Sequence, residues 1–135
     1  MFVVHDRIMN TVPQPLRTWF IIHFVVDIII ALPLLFFTDW FLLTLNFGVQ
    51  EPLSARLVGA ALISIGTTSL IVHKKGVESY LTMLILKLIW SGFAILAIVL
   101  SIIAGSPQIT WVLLLIFVVF FSVWAYFYLK LRSKQ

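Results

Sequence analysis

Three side chains in this 135-residue sequence can carry charge in surroundings that are otherwise apolar: His23, Asp27 and Lys87. His23 and Asp27 are four residues apart, so on a helix they share one face, close enough for an imidazole and a carboxylate to exchange a proton. Lys87 sits inside LTMLILKLIWSGFAIL with apolar residues on both sides for two turns. A charge placed at such a depth in lipid costs a few kcal/mol even on lenient insertion scales, so it needs a partner. Asp27 is the acid available to Lys87. Together the three can relay protons or hold a small polar substrate. They can equally form a structural pair in which Asp27 and Lys87 neutralise each other and set helix register, or Lys87 can snorkel towards an interface.

The elements that must position these groups are helices in a membrane. The chain is 62% hydrophobic and 10% charged, whereas a soluble domain carries about 25% charged residues. Four apolar runs are near the ~20 residues a spanning helix requires, at about 17–37, 53–72, 79–103 and 108–129. The expected fold is all-α: one domain over residues 1–135, four transmembrane helices in an antiparallel bundle and a short outer interfacial helix. The first run has no short basic n-region before it and no A-x-A site after it, so it reads as a permanent span and not a cleaved signal peptide.

Lys and Arg set the orientation. Arg7, Arg17, Lys74, Lys75, Lys130, Arg132 and Lys134 fall on one side, while the connections 38–52 and 104–107 carry no base at all, only Asp39 and Glu51. Both termini are therefore expected in the cytoplasm of a cell whose inner membrane holds the protein. The basic segments act as orientation signals and contacts to anionic lipid. Nucleic acid is not an expected partner; membrane lipids are, together with a second copy or a partner membrane subunit.

Within this frame Asp27 lies ten residues after Arg17 and Lys87 nine after Glu78. At ~1.5 Å rise per residue both are about 13–15 Å inside, at matching depth. His23 is one turn nearer the cytoplasm, at the expected depth of Thr67 and Thr68. The residues in register with Lys87 are Tyr80, Leu84, Ser91, Ala94, Ile98 and Ser101, a seam that should face the other helices. His23, Asp27, Lys87, Ser91 and Thr67 are thus the candidate ligand-binding or proton-relay residues. In the second span Gly59, Ala60, Ser64 and Gly66 are the candidate packing positions, because small residues let helix backbones approach closely.

The helix ends are also marked. Pro13 and Pro15 separate residues 1–16, whose Phe2, Val3, Ile8 and Met9 suit a membrane surface, from the first span. Thr38 or Asp39 is expected to cap the short outer helix and Gly48 to stop it. Pro52 opens the second span, and Gly76 reads as a glycine closing it. Ser106 is the expected N-cap of the last span, with Pro107 at its first position. Arg56, near the outer headgroups, can pair with Glu51 or Asp39 or contact a lipid headgroup.

Other chemistries find no support. There is no cysteine, which excludes thiol catalysis and thiolate metal sites. His23 and His73 have no third ligand, so no metal or haem is expected, and no other cofactor either. No phosphate loop, nucleophile elbow or paired acidic metal motif is present.

The segment EPLSARLVGAALISIG, with Arg56 followed by Gly59, Ala60 and Ala61 after an outer interfacial stretch, resembles the DoxX-like group of small four-helix bacterial membrane proteins. The likeness covers the first three spans and implies an inner-membrane four-helix bundle without implying an activity. LIWSGFAILAIVLS, at 88–101, is similar to the third helix of small multidrug resistance transporters, four-helix dimers with a membrane glutamate in helix one. Here helix one has Asp27 in place of that glutamate, and Lys87 and the long outer connection depart from the pattern. The sequence therefore leads to an integral membrane protein without evident catalysis, structural, accessory or small-ligand-binding. The alternative is a proton-coupled small-molecule transporter working through Asp27.

Overall fold

The computed structural model describes residues 12–49 and 51–134. Five helices account for most of them: α1 (Gln14–Phe36), α2 (Thr38–Thr44), α3 (Leu53–Val72), α4 (Val77–Ile103) and α5 (Ile109–Arg132). No strand occurs among the described residues. Helices α1, α3, α4 and α5 are each long and apolar enough to cross a membrane. The all-α class with four membrane spans is thus as expected, and the chain is a multi-pass membrane protein. Helices are the open-chain solution in lipid, where each backbone N–H and C=O must find its partner within its own segment. Hydroxyls are silenced the same way: Ser64, Thr68, Ser69, Ser91, Ser101 and Ser122 each donate to a carbonyl one turn back.

The chain divides into two compact units, Met1–Gly76 and Val77–Gln135. The first contains the pair α1 and α3 with the short α2 between them, and the second the pair α4 and α5.

In the first unit, α1 buries Leu16, Phe20, His23, Asp27, Ala31 and Leu34, a stripe at spacings of three and four. Facing it, α3 buries Gly59, Leu62, Gly66, Ser69 and Val72. Two glycines set how close these helices run. A Cβ on Gly59 would stand 3.1 Å from the Ala31 carbonyl oxygen and 3.2 Å from Leu34 Cβ. A Cβ on Gly66 would stand 3.0 Å from Asp27 Cβ. Pro33 lies in the last turns of α1, and its carbonyl accepts from the Phe37 N–H at 2.9 Å.

In the second unit the contact is built from bulk. Tyr80, Met83, Leu84, Lys87 and Ser91 are buried on α4, and Phe120, Trp124, Phe127 and Leu131 on α5. Phe120 and Trp124 stack with ring centroids 5.7 Å apart.

Several helix ends differ from expectation. α2 begins at Thr38, so its N-cap is Phe37, and neither Thr38 nor Asp39 caps it. Thr38 is buried and donates back to the Leu34 carbonyl at 2.7 Å, joining α1 to α2. α2 closes one turn before Gly48. Asn46 takes φ 62°, with Asn46 N–H bonded to the Leu43 carbonyl and Phe47 N–H to the Leu42 carbonyl. That is the paired closure of a left-handed helix stop, which Asn tolerates because its short polar side chain lowers the steric cost. α4 ends identically around Gly105, at φ 91°, with Ser106 N–H reaching the Ser101 carbonyl. α5 starts at Ile109 with Gln108 as N-cap, two residues later than expected, and the Ser106 hydroxyl has no partner among the described residues. Gly76 is not in the left-handed region, since Gly105 is the one described glycine at positive φ. The exit of α3 is held instead by a side chain from α1, Arg17.

Candidate functional site

Two local patterns in α1 place the first part of the site. The i, i+4 spacing of His23 and Asp27 brings both to the stripe that faces α3, and the small residue Gly66 leaves room for the carboxylate there. His23 is 7% exposed and Asp27 4%. His23 Nδ1 lies 2.9 Å from Asp27 Oδ2. That approach does not have hydrogen-bond geometry, and Oδ2 accepts no hydrogen bond from any described residue. The contact is an ion pair by distance, so its Coulomb part persists while the directional part is lost. Its strength depends on whether the imidazole carries a proton. On the other side Oδ2 meets the α3 backbone, where a Cβ on Gly66 would come within 3.1 Å. The arrangement is a dry carboxylate with one titratable neighbour.

The second unit places Lys87. The side chain is 1% exposed, and its Nζ lies 4.8 Å from the centroid of the Trp124 ring, itself 1% exposed. The face of a Trp ring is the best aromatic surface for an ammonium, worth about 2 kcal/mol when water is excluded. Ser91, one turn on, is buried and donates to the Lys87 carbonyl at 2.6 Å. The hydroxyl therefore serves the α4 backbone.

Of the other residues singled out in the sequence, Gly59 and Gly66 lie in the α1–α3 contact. Ala60, Ser64 and Thr67 lie on an exposed face of α3. Asp27 and Lys87 belong to different units, and each has a neighbour of its own there.

Both ends of the α1–α3 pair are tied by arginine. At the basic end, the Arg17 guanidinium donates to the His73 carbonyl and, at 3.4 Å, to the Lys75 carbonyl. A cation over the last carbonyls of α3 satisfies groups that have no partner within the helix and complements the helix dipole. At the other end Arg56 Nε donates to Thr38 Oγ1 at 3.3 Å. Arg56 thus meets a hydroxyl where Glu51 or Asp39 was expected. Glu51 instead opens α3: its carboxylate accepts from the Leu53 N–H at 2.7 Å and the Ser54 N–H at 3.4 Å. The Leu53 N–H is the main cause holding this carboxyl below its ordinary range, with Ser54 helping and Arg56 contributing least.

Sequence reasoning missed Arg17, Trp124 and Glu51. Glu51 had a local signal, an acid two residues before the first turn of a helix. Arg17 and Trp124 act on residues 56 and 37 positions away, at separations no local pattern reports. No family model, curated protein or solved structure matches the chain.

Proposed function

We propose that this chain is a non-enzymatic component of the inner membrane, structural or accessory, whose buried ionisable groups fix helix pairing. The observation that carries this reading is that each buried ionisable group has a neighbour within its own helix pair: Asp27 beside His23 and against Gly66, Lys87 over Trp124. A charge held by fixed neighbours and kept dry sets register; it does not await a substrate. The proposal includes an orientation with both termini in the cytoplasm, supported by the distribution of Lys and Arg. Because the chain has no cysteine, single introduced cysteines report topology without background. Lys134→Cys should be protected from an impermeant maleimide in intact cells and Asn46→Cys labelled. The reverse pattern sinks the orientation.

One observation favours the second reading, a proton-coupled transporter. Asp27 Oδ2 accepts no hydrogen bond from the described residues, which leaves a buried acceptor at membrane depth, the kind of group that transport pathways use. Proteoliposomes carrying a pH-sensitive dye separate the two. An accessory protein gives no proton movement above empty vesicles with a panel of organic cations and metabolites. Flux that disappears in Asp27→Asn, in a variant that still melts cooperatively, would overturn the accessory reading in favour of transport.

A further inference from the structure

At the basic end of the first unit the structure contains an open groove of about 760 Å³, bordered by Gln14, Arg17, Thr18, Ile21, His73 and Lys74 among others. It lies more than a turn from Asp27 along α1 and includes neither His23 nor Asp27. Among the described residues its titratable lining is Arg17, Lys74 and the imidazole of His73, with no acid. The guanidinium of Arg17 is anchored on two carbonyls of the α3 exit, so its charge stays at the groove wall without a further entropic cost to place it. Lys74 is exposed and makes no hydrogen bond or ion pair within the described residues. Gln14 is the first residue of α1, whose N-cap, Pro13, provides no side-chain bond. The positive end of that helix dipole therefore opens on the same space.

The groove is also amphipathic along the membrane normal. Arg17, Thr18 and Lys74 stand at the helix ends, while Ile21 lies a turn further into the apolar span. A free anion has no use for that wall. A glycerophospholipid does: its phosphate meets the bases and its glycerol and first methylenes lie along Ile21. We propose that this groove is a specific site for the phosphate headgroup of an anionic lipid, held by Arg17, Lys74 and the amino end of α1. Zwitterionic lipids bring a cation into the same basic space and are disfavoured. This site goes beyond diffuse attraction between basic loops and the membrane, and it is independent of the accessory reading.

The full chain in maltoside micelles is melted during titration with phosphatidylglycerol, phosphatidylcholine or inorganic phosphate. Phosphatidylglycerol should raise Tm saturably, phosphatidylcholine and inorganic phosphate much less. Lys74→Gln removes one charge near the headgroup and should shift half-saturation about fivefold. Lys74→Arg should restore it, and Lys134→Gln, at another basic segment, should leave it unchanged. Lys74 is an exposed loop residue, so these variants keep the fold. An equal shift in Lys134→Gln would mean diffuse attraction only, an equal rise with inorganic phosphate would mean a free-anion site, and no saturable rise would mean no site. Each of these overturns the proposal.

Discussion

The two units solve the same problem in opposite ways. The first buries an acid, and it does so where two helices approach closely over glycine: Asp27 packs on Gly66, and α1 meets α3 again at Gly59. The second buries a base, and there the partner is a large ring, Trp124, backed by Phe120. Its intrahelical glycine is not a close-contact point, since a Cβ on Gly92 would meet Phe121 at an ordinary 3.7 Å. The difference follows from the charges. A carboxylate is short and carries no donor when ionised, so it needs a polar neighbour on its own face and a backbone that makes room. A lysine reaches far along a four-carbon stem, and its ammonium can settle on an aromatic face.

The largest effect should come from breaking the acid's pairing on one side. His23→Leu leaves Asp27 dry beside an apolar group and should cost about 3 kcal/mol in bicelle melting, at the low end for a broken buried pair because lipid and water adapt. Asp27→Asn should cost less, since a neutral imidazole is left and no charge remains there. If the two losses are equal, His23 is not what steadies Asp27. The separate neighbours of Asp27 and Lys87 make a second prediction for the same assay. The losses of Asp27→Asn and Lys87→Met should add in the double variant, because each charge is steadied within its own helix pair. Recovery in the double would mean that the two charges pair, as their matched depth in the sequence suggests.

The counterpart in the second unit is Trp124→Leu. It removes the ring beneath Lys87 and should lose about 2 kcal/mol. The same substitution made on top of Lys87→Met should cost clearly less, and a coupling near zero would show that the ring only fills space.

Glycine substitutions test the contrast in backbone approach directly. Gly66→Ala and Gly59→Ala should each destabilise by about 1–2 kcal/mol, because a methyl must displace a packed neighbour, at Gly59 a backbone carbonyl. Gly92→Ala should be neutral or slightly stabilising, because alanine is the better helix former and finds room there. Equal costs at all three would erase the distinction drawn between the units.

The smallest effect belongs to the opening of α3. The Glu51 carboxyl is held below its ordinary value, first by the Leu53 N–H. A group whose folded value is depressed stabilises above its unfolded value and loses that contribution as pH falls through the folded one. Acidification below the ordinary carboxylate range should therefore loosen the start of α3, read as faster amide exchange at Leu53 and Ser54. Glu51→Gln should make that exchange insensitive to pH across the same range. A wild-type profile as flat as the variant's would discount the cap.

The sequence by itself determined the class and the spans. Apolar runs of membrane length admit little but helices, and the four helices observed begin and end within about three residues of the runs read from the chain. It also placed His23 with Asp27, because a spacing of four is a contact on any helix. It marked the glycines as points where helices approach, though not which helix would meet them. The helix stops were harder to read. Asn46, and not Gly48, closes α2, and Gly105 closes α4 while Gly76 closes nothing. Glycine permits a left-handed turn without requiring one, so the choice falls to whichever residue stands where the carbonyls need closing. Only the tertiary structure could put Arg17 over the end of α3, Arg56 on Thr38, and Trp124 under Lys87. Each joins residues brought together by the packing of two helices. The rotation of a helix about its own axis is set by summed side-chain fit over its whole length, and no local spacing encodes it.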